Sequence, residues 1–370
     1  MSRRSVGYIS ESVVPSLNEF SNRNVVINGA MQVAQRGTST ASITTNGYYT
    51  ADRFLFNCTT FGTWTQTIEN DAPTGSGFRK STKLLCTTAD ASPAAGDNLN
   101  YAQYLEGQNL QQFLKGTASA KQFSLSFWVK SNVTGTYIVN LYDGDNTRSV
   151  SKSYTINASN TWEYKTITYP ADTTGAFDND NNGSLYAFWW LGAGTNFTSG
   201  TLNTTWAAAT DANRAVGQVN LASAINNAWQ ITGVQLEVGS VATPFEFEDF
   251  GVTFTKCQRY FQQYDSSGNV YTLFGLGKYV TASSGWAHKT LPTNMRAVPT
   301  LTSSTVSNFA MDNATGTLTA LSAFVLNNAS NANLIRFQIT VGSSPFVAGH
   351  AGELLSNNTT AASIQLSSEL

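Results

Sequence analysis

The sequence predicts an all-β protein: a jelly-roll β-sandwich followed by a smaller C-terminal β-sandwich domain, with few short helices. Short runs of period-two alternation recur along the 370 residues, each bounded by Gly, Asn, Asp or Pro turn chemistry. Charged residues make up only 12% of the chain while aromatics also reach 12%, against an ordinary charged share of about 25%. Many short strands separated by turns favour antiparallel packing over a parallel sheet with helices.

The elements follow in order. Residues 1–25 have little periodicity and end in a polar stretch, SNRN, so they read as an N-terminal arm. Residues 26–250 hold the long strand series. In FSLSFWV, Phe123, Leu125, Phe127 and Val129 alternate with Ser124, Ser126 and Trp128, and TYIVNLY (136–142), TWEYKTITY (161–169) and SLYAFWW (184–190) behave alike. YLEGQNLQQFL (104–114) and TFTKCQRYFQQY (253–264) are the best helical signals. ITGVQLEVGSVATPFEFEDF (231–250) is a strand running into an acidic, aromatic exit, read as a linker packed at a domain seam. Residues 251–370 form a C-terminal β domain. From Phe261 onward it carries eight charged residues. So little charge protects a surface poorly against association, and an oligomer would use that.

Composition excludes several functions. Net charge is -2 and no Lys/Arg cluster is present, so the chain has no footprint for nucleic acid. No apolar run approaches the about 18 residues of a membrane span, and no apolar stretch follows Arg3 and Arg4 as a secretory signal would require. Cys58, Cys86 and Cys257 are far apart and odd in number, which points to assembly in a reducing cytoplasm.

Catalytic patterns are lacking. No serine sits in G-x-S-x-G, and His288 and His350 lie in bland surroundings. GLGKY (275–279) lacks the rest of a phosphate loop and reads as a turn. Asp178 and Asp180 in FDNDNNGS echo the start of a calcium loop, but no Glu follows at the required distance. A solvated hairpin turn is the expectation there, and no metal or cofactor is expected. Aromatics remain. Trp189 and Trp190 are adjacent, so on a strand one faces outward. An outward ring can stack on a sugar or pack under a loop. Tyr271, Phe274, Tyr279 and Trp286, in the hairpin VYTLFGLGKYVTASSGW (270–286), share that status as candidate glycan-binding residues.

Five stretches add a resemblance: NVVINGAMQVAQRGTS (24–39), YYTADRF (48–54), YLEGQNLQQFLKGTASAKQFSLSFWVKSNVTGTYIVNLYD (104–143), TWEYKTITYPADTTGAF (161–177) and ITGVQLEVGSVATPFEFEDFGVTFTKCQRYFQQY (231–264). They resemble tailed-bacteriophage tail fibre and virion structural proteins that contain a carbohydrate-binding-module-like jelly roll. The resemblance implies neighbouring first and last strands, a C-terminal β domain joined through CQRYF, a homotrimer and a place on the virion after synthesis in the host cytoplasm. It also implies that the final LSSEL is a natural stop. Related modules often hold calcium near the first and last strands, where this chain has Gln32 and the Gly233-Val234 pair. The expectation is a non-enzymatic fibre protein. Its arm, with Arg3, Arg4, Tyr8 and Phe20 as candidate contacts, docks on tail or capsid proteins while the tip meets host-cell glycan or protein. A capsid decoration or head-fibre protein without receptor binding is the alternative, and a polysaccharide depolymerase the third reading.

Overall fold

The computed structural model describes residues 22–266, 268–312, 316–343 and 345–370. Arg3, Arg4, Tyr8 and Phe20, the candidate particle contacts, lie outside the described residues. The first part of the chain contributes β1 (Ser39–Ile43), β2 (Leu55–Thr59), β3 (Thr63–Glu69), β4 (Ser81–Thr88), β5 (Asn98–Glu106) and β6 (Phe123–Ser131). It continues with β7 (Gly135–Asp143), β8 (Arg148–Ile156), β9 (Glu163–Tyr169), β10 (Gly183–Ala193), β11 (Ala207–Ala208) and β12 (Ala228–Val238). Two six-stranded sheets result, in the orders β1-β3-β4-β12-β6-β9 and β11-β8-β7-β10-β5-β2. They face each other as a sandwich.

The period-two pattern decides what lies between the sheets. Trp64, Leu84, Leu125, Phe127, Trp229 and Ile231 of the first sheet meet Phe56, Tyr101, Val139, Leu141 and Trp189 of the second, all fully buried in one core. Full burial of each such side chain stabilises the fold by about 1.5–3 kcal/mol. The expected neighbouring of the first and last strands is not met, since β3 and β4 lie between β1 and β12; the segment ahead of β1 runs beside β12 instead. β12 has a bulge between Thr232 and Gln235, with Gly233 at φ 64°. Beyond it, Val234 N–H donates to Gly29 O and Val25 N–H to Leu236 O. Residues 22–25, read as the end of the arm, therefore lie against β12.

The acidic, aromatic exit is folded onto the sandwich. Phe245 and Phe247 pack on Phe78 and on each other, with centroids 4.9–5.1 Å apart. Glu246 accepts from Asn24 N–H, and Asp249 caps α1 (Phe250–Gln258) by accepting from Gly251 N–H at 2.8 Å. This is the C-terminal helical signal of the sequence, shortened. Its end becomes β13 (Phe261–Asp265), because Gln262 and Tyr264 pair with the last strand of the chain. The other expected helix, 104–114, is not one. Its start completes β5 and its rest forms two three-residue 3-10 turns, 107–109 and 111–113.

The remaining strands are β14 (Leu273–Thr281), β15 (Ser284–Thr290), β16 (Thr300–Ser303), β17 (Phe309–Asp312), β18 (Leu318–Leu326), β19 (Leu334–Val341), β20 (Ala351–Ser356) and β21 (Ser363–Ser367). This part is all-β as predicted, but not a sandwich. β14-β15-β19-β18-β17-β20 close into a barrel, beside a three-stranded sheet β13-β21-β16. Closure leaves the barrel itself without an open edge, so its charge-poor strands need no edge charges. GLGKY, read as a turn, lies inside β14. A side chain at Gly277 would strike Trp286 O, so glycine is what lets β14 and β15 approach.

Charged contacts tie the two parts together. Arg53 is completely buried, pairs with Glu369, donates to Tyr104 O at 2.7 Å and stacks on Tyr260 at 3.3 Å. Arg259 holds Glu106 with two bonds of 2.8 Å. Burial opposes the charge on Glu106, yet the Arg259 fork together with bonds from Tyr260 and Gln108 keeps that carboxyl below its usual range.

Candidate functional site

The outer face of the second sheet carries the site. On β10, Leu185, Ala187, Trp189 and Leu191 point into the core, so Tyr186, Phe188 and Trp190 point outward. Register sets Tyr186 directly opposite Tyr104 of β5 and Tyr142 of β7. Three tyrosines from strands far apart in sequence thus form one row across the sheet. Tyr104 and Tyr186 are 4.3 Å apart at 37°, while Tyr142 and Tyr186 stack at 5.9 Å and 9°. All three rings are half-buried.

The row is fixed from several sides. Tyr186 hydroxyl donates to Gly183 O at 2.9 Å. The Arg214 guanidinium lies 5.0 Å from both the Tyr142 and Phe188 rings, donates to Asn140 Oδ1 at 3.1 Å and pairs with Asp211 at 3.1 Å. Polar groups continue along the face: Asn57 Nδ2 donates to Asn100 Oδ1 at 2.8 Å, beside the next rings. Burial pushes the Tyr104 and Tyr186 phenols above the usual tyrosine range, so both remain neutral. The arrangement offers flat apolar faces edged by amides, hydroxyls and one cation. It is suited to stacking on the C–H face of a pyranose while its hydroxyls are bonded at the margin.

The residues named from sequence fall elsewhere. Trp189 is fully buried in the sandwich core, and Trp190, though outward, is 1% exposed beneath Phe197 of a covering segment. Neither has a face free for a ligand. Phe274 and Tyr279 are each 1% exposed inside the barrel, against Phe309 and Phe346. They are core residues because the bulged β14 turns these two rings inward. Tyr271 is exposed, and Trp286 is half-buried under Arg336 at 3.6 Å. These two rings are not brought into one platform: Trp286 lies opposite Lys278, seven residues beyond Tyr271. Asp180 accepts both bonds of Asn182, and Asp178 N–H donates to Asp145. Among the described residues no three His, Cys, Asp or Glu gather to hold a metal.

Tyr104, Tyr142, Tyr186 and Arg214 were not legible as a site. Both faces of SLYAFWW are apolar, so the alternation does not say which face is outward. Only the pairing with β5 and β7 reveals the row.

No protein-family model matches the chain, and no curated protein matches it. Solved structures similar to part of it include the enzymatically active domain of bacteriophage CBA120 tailspike protein 4, at 17% identity and TM-score 0.31 over 58% of this chain. The match spans 21% of the tailspike chain, about a fifth of its length. A CBM61 module in complex with β-1,4-galactotriose is 9% identical, covering 58% of this chain and 99% of that one with TM-score 0.28. The C-terminal family 22 carbohydrate-binding module of Clostridium thermocellum Xyn10B is 13% identical, covering 62% and 100% with TM-score 0.28.

Proposed function

We propose that this chain is a non-catalytic virion protein, a tail fibre or similar appendage, that holds host-surface glycan on the Tyr104–Tyr186–Tyr142 row. The single observation that carries the glycan reading is that row: three half-buried rings aligned across three strands at the surface. The five fibre-like sequence stretches support the virion setting. In this reading the chain is a homotrimer attached through its N-terminal arm. A weak single site gains from repetition, since linked sites raise avidity by about 10² to 10⁴.

The test is titration of the full chain with host-surface polysaccharide, beside Tyr186→Ala and Tyr104→Ala. Each variant is expected to weaken binding about tenfold, or about 1.4 kcal/mol. Unchanged binding in both variants rejects the row. Release of new reducing ends from the polysaccharide rejects the non-catalytic reading. Light scattering that finds a monomer rejects the trimer, and labelling of the capsid lattice in electron micrographs rejects the tail location.

A further inference from the structure

The opposite outer face of the sandwich holds a second groove. Lys83 of β4, Gln230 of β12 and Lys130 of β6 stand in one cross-strand row. Trp162, just ahead of β9, continues it. Asp71, Asn132, Asn160 and Asn226 complete the walls of a groove of about 290 Å³.

Its groups are held in place. Lys130 pairs with Asp71 and lies 5.1 Å from the Trp162 ring, and Trp162 Nε1 donates to Asp71 Oδ1 at 3.2 Å. Asn132 is fixed at both ends, by Ala228 N–H at 2.8 Å and Asn226 O at 3.2 Å. Two residue pairs further along, Thr232 stands beside Trp128, which packs on the exposed Tyr164 at 5.2 Å. One polar atom of the groove is left over. Gln230 Oε1 belongs to a residue 6% exposed and has no hydrogen-bond partner among the described residues. A buried polar atom without a partner is costly, and native proteins seldom leave one unexplained.

We propose that this groove is a second saccharide site, taking a neutral hexopyranose unit of a glycan chain. Lysine ammoniums donate, Asp71 and Gln230 accept, and Asn160 does both; this alternation matches the hydroxyls around a sugar ring. Trp162, which lies beside Lys130 and bonds Asp71, supplies a flat apolar face next to the groove. The charges cancel locally, Lys130 with Asp71 and Lys83 with Glu69 at 4.0 Å, so the groove does not select for a charged ligand. The tyrosine row lies on the other sheet, and this site stands independently of it.

The experiment is calorimetric titration of the full chain, Tyr186→Ala, Trp162→Ala and Gln230→Leu with neutral tetrasaccharides of glucose, galactose and mannose. Trp162→Phe serves as the conservative control, and melting curves establish that each variant is folded. Tyr186→Ala is expected to retain binding of at least one tetrasaccharide. Trp162→Ala and Gln230→Leu, each combined with Tyr186→Ala, are expected to weaken that remainder at least tenfold, whereas Trp162→Phe retains it within about threefold, the ring face being conserved. The proposal is overturned if no tetrasaccharide binds Tyr186→Ala, or if the groove variants leave the remaining binding unchanged. Loss in the groove variants with none in Tyr186→Ala upholds the groove and rejects the tyrosine row.

Discussion

In the sandwich, Lys115 is enclosed and its ammonium meets Asp143 at 2.5 Å, Asp172 at 3.1 Å and the carbonyls of Thr174 and Gly175 at 3.1 and 2.7 Å. In the barrel, Arg336 instead lies on the Trp286 ring at 3.6 Å, and Lys289 on Tyr264 of the adjoining sheet at 3.8 Å. Among the described residues no ion pair lies within the barrel strands, whereas the sandwich contains several. The same scarcity of charge is managed by two physical means. Carboxylate pairing gives directional bonds that fix loops, while ring stacking needs no counter-charge and leaves the barrel surface nearly neutral.

The contrast is broken most directly at Lys115. Lys115→Met leaves the buried Asp143 without its cation, while Asp172 keeps Arg148 at 2.8 Å; the expected loss is about 3 kcal/mol. Denaturant unfolding should record it, and a loss under about 1 kcal/mol would mean the pair is incidental.

Asp52 gives the next largest effect. Burial pushes its carboxyl up to about 6, although Gln35 bonds and the nearby Arg36 work in the opposite direction. The unfolded value is about 3.9. Between these values the folded chain holds a proton that the unfolded chain has released. Stability therefore rises as pH falls from about 6 to about 4, by about 2 kcal/mol in all. Melting temperatures across that range should show the slope, and Asp52→Asn should lack it. An identical slope in the variant assigns the effect to another group.

The smallest effect belongs to the barrel. Arg336→Leu removes one cation–ring contact at a half-buried site, about 0.5–1 kcal/mol. The same denaturant series measures it. A loss as large as that of Lys115→Met would erase the distinction between the two regions.

Much of the fold was legible because both faces of most strands differ. FSLSFWV became β6, with Phe123, Leu125, Phe127 and Val129 buried, and TWEYKTITY contributed β9. The 104–114 stretch misled because Leu105, Leu110 and Phe113 mimic helical spacing while serving the sandwich core from a strand end and two turns. The barrel was hidden for another reason: closure depends on β14 pairing with β20, about 75 residues apart at spacings no local pattern encodes. The candidate site was least legible. Trp189 and Trp190 drew attention by size, yet large rings are mostly core. The tyrosines became a row only through register between strands distant in the chain.

The contact of residues 25–29 with the far end of β12 has a consequence for biogenesis. During synthesis, Val25 N–H and Gly29 O remain without these partners until more than two hundred further residues have left the ribosome. Arg53 waits longer still, since its carboxylate arrives with Glu369. A nascent chain interrupted before that point lacks the carboxylate that pairs with Arg53, so incomplete copies are expected to be less stable than the full chain.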